Sequence, residues 1–156
     1  MSGKVKSLEE LQKVVTEAKE NGRTVVFTNG CFDLLHRGHL HVLREAKARG
    51  DLLIVGVNSD RSVHMIKGPG RPIMGETDRL ELIAAMEMVD YVLRFDEPDP
   101  YKIIAALRPD VLVKGGDWRP QEIVGADVVR ANGGKVASIP YLRGSSTTEI
   151  IEKIRS

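Results

Sequence analysis

The sequence predicts an α/β fold: a doubly wound parallel sheet of five strands in a single domain. Three observations predict it. Strand-like and helix-like segments alternate from end to end, with no internal repeat and no low-complexity tract. Leu52-Leu53-Ile54-Val55-Gly56-Val57 is apolar without alternation, as in a strand buried on both faces of a parallel sheet. At 156 residues the chain is long enough for one domain with one core.

The elements follow in order. Ser7-Leu8-Glu9-Glu10 is a capping box opening the first helix, which carries an apolar stripe of Leu8, Leu11, Val15 and Ala18 and stops at Asn21-Gly22. This helix is expected either to pack on its own sheet or to offer a face to a second copy. A strand over 24–28 leads to a helix over 38–49 and the apolar strand over 51–57. A helix over 60–66 precedes the breaker cluster Lys67-Gly68-Pro69-Gly70-Arg71-Pro72. Leu80, Ile83, Ala84 and Met88 mark the next helix, followed by a strand at 91–95, a helix over 99–107 and a strand over 111–114. The Gly115-Gly116-Asp117-Trp118 loop leads to a helix near 126–132, which Gly133-Gly134 ends before a strand at 136–139. A helix over 147–155, with Ile150, Ile151 and Ile154, closes the chain.

Composition narrows the function classes. A formal net charge of +1 gives no basis for a nucleic-acid or membrane surface, so any anion site is local. One cysteine, Cys31, rules out an internal disulfide and fits a reducing cytoplasm. There is no signal-peptide hydrophobic region and no apolar stretch of membrane-spanning length. The expectation is a cytoplasmic protein acting on small soluble molecules, with neither nucleic acid nor membrane as a partner.

The densest motif is His36-Arg37-Gly38-His39, at a strand-to-helix turn. The two imidazoles share the first helical turn, where free N–H groups and the positive end of the helix dipole suit a phosphate. A plainer reading makes them solvated histidines or backbone caps. The glycines at 30 and 38 favour the ligand, because they allow close backbone approach. In doubly wound sheets ligands bind beyond the carboxyl ends of the strands, where strand order reverses. His36, Lys114 and the Asn58-Ser59-Asp60 turn all lie at such ends, which predicts one crevice. Gly144-Ser145-Ser146-Thr147-Thr148 opens the last helix, where the same hydroxyls can cap the backbone and bind phosphate.

Gly30-Cys31-Phe32-Asp33-Leu34-Leu35-His36-Arg37-Gly38-His39 resembles the signature of the cytidylyltransferase-like nucleotidyltransferases, and the resemblance runs from about residue 24 to the end. Gly56-Val57-Asn58-Ser59-Asp60, Lys67-Gly68-Pro69-Gly70-Arg71-Pro72 and Val113-Lys114-Gly115-Gly116-Asp117 resemble the transferase domain of the bacterial bifunctional heptose kinase/adenylyltransferases. The terminus beginning at Gly144 is similar to the last motif of that group. Those proteins normally also carry a ribokinase-like kinase domain, for which this chain has no room. The resemblance implies a stand-alone transferase, with residues 1–23 as an N-terminal helical extension and 24–156 as a Rossmann-like nucleotidyltransferase domain.

The chemistry so implied is adenylyl transfer from ATP to a heptose 1-phosphate, giving ADP-heptose and pyrophosphate for lipopolysaccharide or another surface glycan. His36, His39, Lys67 and Arg79 form the implied catalytic set. In it the histidines hold the triphosphate, His39 meets the transition state, Lys67 sits with Arg71 on a closing cationic loop, and Arg79 clamps phosphate in two-pronged fashion. The nucleotide side is Cys31, Phe32, Gly38, Asp117, Arg143, Gly144, Ser145, Ser146, Thr147 and Thr148. Cys31 is expected there as a small buried residue and not a nucleophile. Asp33, Asn58 and Lys114 are expected on the sugar-phosphate side, with Asp33 capping its turn or accepting from sugar hydroxyls or magnesium-bound water. Trp118 either covers the core edge or meets ligand. Mg2+ is expected as a cofactor bound mainly through substrate phosphates, without a protein cage, since His41 faces elsewhere and no fourth ligand is apparent. The expected partners are ATP and the heptose 1-phosphate, and the expected assembly is a homodimer. Two alternatives stand beside this reading: a cytidylyltransferase acting on glycerol 3-phosphate, and a non-catalytic nucleotide-binding sensor.

Overall fold

The structure, a computed structural model, describes residues 3–142, 144 and 146–156. The first helix, α1 (Leu8–Glu20), begins at the predicted capping box: the Glu10 N–H donates to Ser7 Oγ at 3.2 Å and the Ser7 N–H to Glu10 Oε1 at 3.1 Å. Its stripe of Leu11, Val15 and Ala18 is buried against its own sheet, the first of the two expected placements. Ahead of it, Val5 bridges Val92 in parallel.

Five strands, β1 (Val25–Gly30), β2 (Leu52–Asn58), β3 (Tyr91–Phe95), β4 (Val111–Gly115) and β5 (Lys135–Ile139), form one parallel sheet in the order β3-β2-β1-β4-β5. Side-chain alternation sorts the residues to two faces. Val25, Phe27, Leu52, Ile54, Leu93, Phe95 and Leu112 join α1, α5 (Tyr101–Leu107) and α6 (Ala126–Ala131) in one core. Val26, Leu53, Val55, Val57, Val92, Val111 and Val113 join α2 (Arg37–Lys47) and α4 (Glu76–Ala84) in the other. The apolar run of β2 is thus explained: all of its residues are buried, and Leu52 and Ile54 face one core while Leu53, Val55 and Val57 face the other. The doubly wound, Rossmann-like sheet is the predicted one.

Strand order reverses between β1 and β4, and the two strands part early. The β1–β2 ladder runs from Val25 with Leu52 to Gly30 with Val57, whereas β1–β4 holds only Val26 with Val111 and Phe27 with Leu112. Beyond that, the Thr28 hydroxyl donates to the Val113 carbonyl at 2.8 Å. A crevice therefore opens at the carboxyl ends of β1 and β4. Around it stand α3 (Asp60–Lys67), α7 (Thr147–Arg155) and a 3-10 turn at Pro120–Glu122. Among the described residues no helix is long and apolar enough to cross a membrane.

Candidate functional site

The crevice is a cavity of about 630 Å³. One wall is the loop after β1 with the start of α2, and His36, Gly38 and His39 line it. His36 is the N-cap of α2, and its Nδ1 accepts from the Gly38 N–H at 3.0 Å. His39 Nδ1 accepts from the His36 N–H at 3.2 Å, so the histidines themselves make a capping box. The ring centroids lie 3.9 Å apart, and Phe32 flanks His39 at 5.5 Å. Burial, then the neighbouring His36, pushes His39 down to about 4 despite the opposing charge of Asp33. His36 is also lowered by burial, against the pull of Glu149. Each Nδ1 accepts a backbone N–H, so each neutral ring carries its proton on Nε2. The capping and anion-binding readings are therefore compatible, because they use opposite nitrogens.

The turn is held open by unusual backbone. Phe32 and Leu34 have φ of 51° and 56°, a left-handed conformation costly for residues with a Cβ. A Cβ at Gly30 would lie 3.1 Å from the Phe32 ring, a close contact that glycine avoids. Cys31 lines the cavity, and burial pushes its thiol up, away from the nucleophilic thiolate.

The opposite wall belongs to the other helical layer and was missed in the sequence: Pro98-Asp99-Pro100 ahead of α5, and Glu122, Ile123 and Val124 ahead of α6. Both segments follow strand ends, the one signal that could have found them. Lys114 enters at the end of β4, with Nζ 5.9 Å from the Trp118 ring centroid. Burial lowers its amine, Cys31 opposes this and Lys67 adds to it. Among the described residues no carboxylate pairs with it. Trp118 and Tyr141 complete this edge, and Tyr141 was also missed. A Cβ at Gly116, whose φ is 116°, would lie 2.8 Å from Trp118 Nε1, so this position takes glycine.

Gly144, Ser146, Thr147 and Thr148 line the end nearest α7. Ser146 caps that helix, accepting the Glu149 N–H at 3.0 Å, while Thr147 Oγ1 donates to the Asp33 carbonyl at 2.6 Å. Arg143 and Ser145 lie outside the described residues. Lys67 and Arg71 reach the cavity from the Gly/Pro loop. Asn58 lines it too, with Nδ2 donating to Ser62 Oγ at 3.1 Å and to the Glu97 carbonyl at 3.3 Å. Among the described residues no group of three or more His, Cys, Asp or Glu side chains is placed to hold a metal ion.

Three expectations need correction. Arg79 does not line the cavity: it is fully buried, donating to the carbonyls of Met74 at 2.9 Å, Cys31 at 2.6 Å and Asn58 at 2.7 Å, and to Asp60 Oδ1 at 2.8 Å. A guanidinium so engaged is not a phosphate clamp, and its work is to fix the ends of β1 and β2. Asp117 is exposed and stands outside the cavity lining, in which the next residue of its loop, Trp118, takes part instead. Asp33 borders the cavity, but its carboxylate is fully buried and bonded to Arg71 and to the backbone of Ile73 and Met74, which turns it away from sugar hydroxyls and metal-bound water.

A family model described as cytidylyltransferase-like matches residues 27–153. The chain is 51% identical to the "Bifunctional protein HldE" of Trichlorobacter lovleyi, over 97% of this chain and 31% of that protein. It is 50% identical to the protein of the same name from Geotalea uraniireducens, over 98% and 31%. The chain therefore spans about a third of the length of these curated relatives. A crystal structure of the lipopolysaccharide core biosynthesis protein from Thermoplasma volcanium matches with a TM-score of 0.62 at 31% identity, covering 80% of this chain and 100% of that one. Pantoate-beta-alanine ligase from Francisella tularensis matches with a TM-score of 0.63 over 97% of this chain and 76% of that one, but at 13% identity it shares the fold alone.

Proposed function

The chain belongs to the cytidylyltransferase-like family, and from that premise we propose that it transfers the adenylyl group of ATP to a heptose 1-phosphate. The products are ADP-heptose and pyrophosphate, serving lipopolysaccharide or a related surface glycan. One observation carries the reading: the N-terminal ends of α2 and α7, far apart in sequence, meet one cavity that also receives Lys114. Similarity to the HldE proteins over nearly the whole chain supports the choice of heptose, through the motifs that resemble heptose kinase/adenylyltransferases. Similarity to the lipopolysaccharide core biosynthesis protein of Thermoplasma volcanium is in accord.

In this reading an oxygen of the sugar 1-phosphate attacks the α-phosphorus of ATP. The bond from that phosphorus to the β-bridging oxygen breaks, and pyrophosphate leaves with the electron pair. The nucleophile is already an anion, so the protein needs no general base and forms no covalent intermediate. Its contribution is alignment and charge stabilisation. His36 and His39 donate from Nε2 to triphosphate oxygens, which the Nδ1 caps hold in the productive tautomer. Lys67 and Arg71 neutralise charge from the loop side, and Lys114 meets the acceptor phosphate. ATP enters as its magnesium complex, with the ion carried on phosphate oxygens and water.

Pyrophosphate release measured with ATP, CTP and GTP, each against heptose 1-phosphates and glycerol 3-phosphate, tests the proposal. The expected outcome is turnover with ATP and a heptose 1-phosphate. Preference for CTP with glycerol 3-phosphate contradicts it, and so does tight ATP binding without turnover on any acceptor.

A further inference from the structure

We infer that Asp33 is a positioning residue that holds the cationic loop and the start of α7 in register. It does not itself touch substrate. Its side chain is fully buried. Oδ2 accepts from Arg71 Nε and from the Ile73 N–H, each at 2.8 Å, and Oδ1 accepts from the Met74 N–H at 2.9 Å. Burial alone would raise its pKa, but the two backbone N–H groups and Arg71 outweigh that and keep it ionised below the usual carboxylate range. The carbonyl of the same residue points the other way and accepts the Thr147 hydroxyl at 2.6 Å. Left-handed backbone on either side, at Phe32 and Leu34, allows one residue to face two segments.

The loop thereby has a fixed half and a free half. Met74 is gripped twice, its N–H by Asp33 and its carbonyl by Arg79 Nε at 2.9 Å. Gly68 and Gly70, with φ of 90° and 81°, have open space where a Cβ would stand. Lys67 and Arg71 bracket that glycine half and line the cavity. The spacing of these cations from the α7 end is accordingly set through Asp33, whose role matters only if both ends hold one substrate. To that extent the inference rests on the proposed transferase reading.

The test compares wild type with Asp33→Asn, which keeps the shape and removes the charge. Three readouts are taken: kcat and KM, the rate of limited proteolysis within 67–75, and the melting midpoint. The expected result is at least a tenfold loss of kcat, acceptor KM within about threefold of wild type, and at least threefold faster loop cleavage without a matching fall in melting midpoint. Unchanged kcat overturns the inference. So does a loss confined to acceptor KM with unaltered cleavage, which marks direct substrate contact. If Asp33→Asn does not fold, Arg71→Lys removes the Nε donor while keeping the charge; faster cleavage with lowered kcat supports the inference, and unaltered cleavage overturns it. Cleavage needs no turnover, so a wild type inactive on heptose 1-phosphate refutes the transferase reading while the latch is still measured.

Discussion

His39 Nε2 is the donor on which the proposed chemistry leans most. In the proposed reaction His39→Ala removes a transition-state contact, so kcat should fall about 100- to 1000-fold while acceptor KM moves only a few-fold. Steady-state kinetics on both substrates check this. The same ring carries a pH signature. Its value of about 4 lies below the 6.5 of an ordinary histidine, so the folded protein binds fewer protons between those values. Its contribution to stability is therefore complete above pH 6.5 and is lost as pH falls toward 4. One such group accounts for about 3 kcal/mol. Denaturant titrations from pH 7 to 4 should show that slope, and His39→Gln should flatten it. The histidine pair was legible in the sequence from its place between a strand and a helix. Arg79 was not. Whether an arginine in a helix's first turn faces the crevice or the core depends on the partners around it, and Met74, Cys31, Asn58 and Asp60 come from four other segments.

At the scale of elements, Arg79 ties α4 to the ends of β1 and β2 and to the head of α3. Arg79→Met should destabilise the protein by about 3–5 kcal/mol, because three carbonyls and Asp60 lose their donor in or beside the core. Chemical denaturation measures it, and a change under 1 kcal/mol would contradict the bridging role. Ser146→Ala removes the N-cap of α7 and should cost that helix about 1 kcal/mol. It should also raise the KM for ATP, since a frayed helix start holds phosphate poorly. Element types were readable because capping residues, breakers and apolar spacing are local. The wall at Pro98–Pro100 and Glu122–Val124 was not readable, because only the crossovers of the sheet bring two separate loops to face α2.

For the whole molecule, a near-neutral chain concentrates its usable cations at one end of the sheet. Lys67, Arg71 and Lys114 line the same cavity as two helix N-terminal ends. Strand order places that cavity where β1 and β4 part; a crevice at the carboxyl ends of the strands followed from the alternation of elements, but which two strands part there did not. Which acceptor it takes did not, since pocket shape depends on tertiary contacts. Lys114→Gln should raise the KM for the sugar phosphate about tenfold or more with ATP binding little changed, which kinetics and calorimetry separate. The central claim is direct adenylyl transfer between two bound phosphates. Phosphorus NMR of the purified chain mixed with magnesium, ATP and heptose 1-phosphate tests it most directly. The account predicts ADP-heptose and pyrophosphate in equal amounts, and neither when the sugar phosphate is left out. Pyrophosphate without acceptor, or no ADP-heptose with both substrates present, would contradict it.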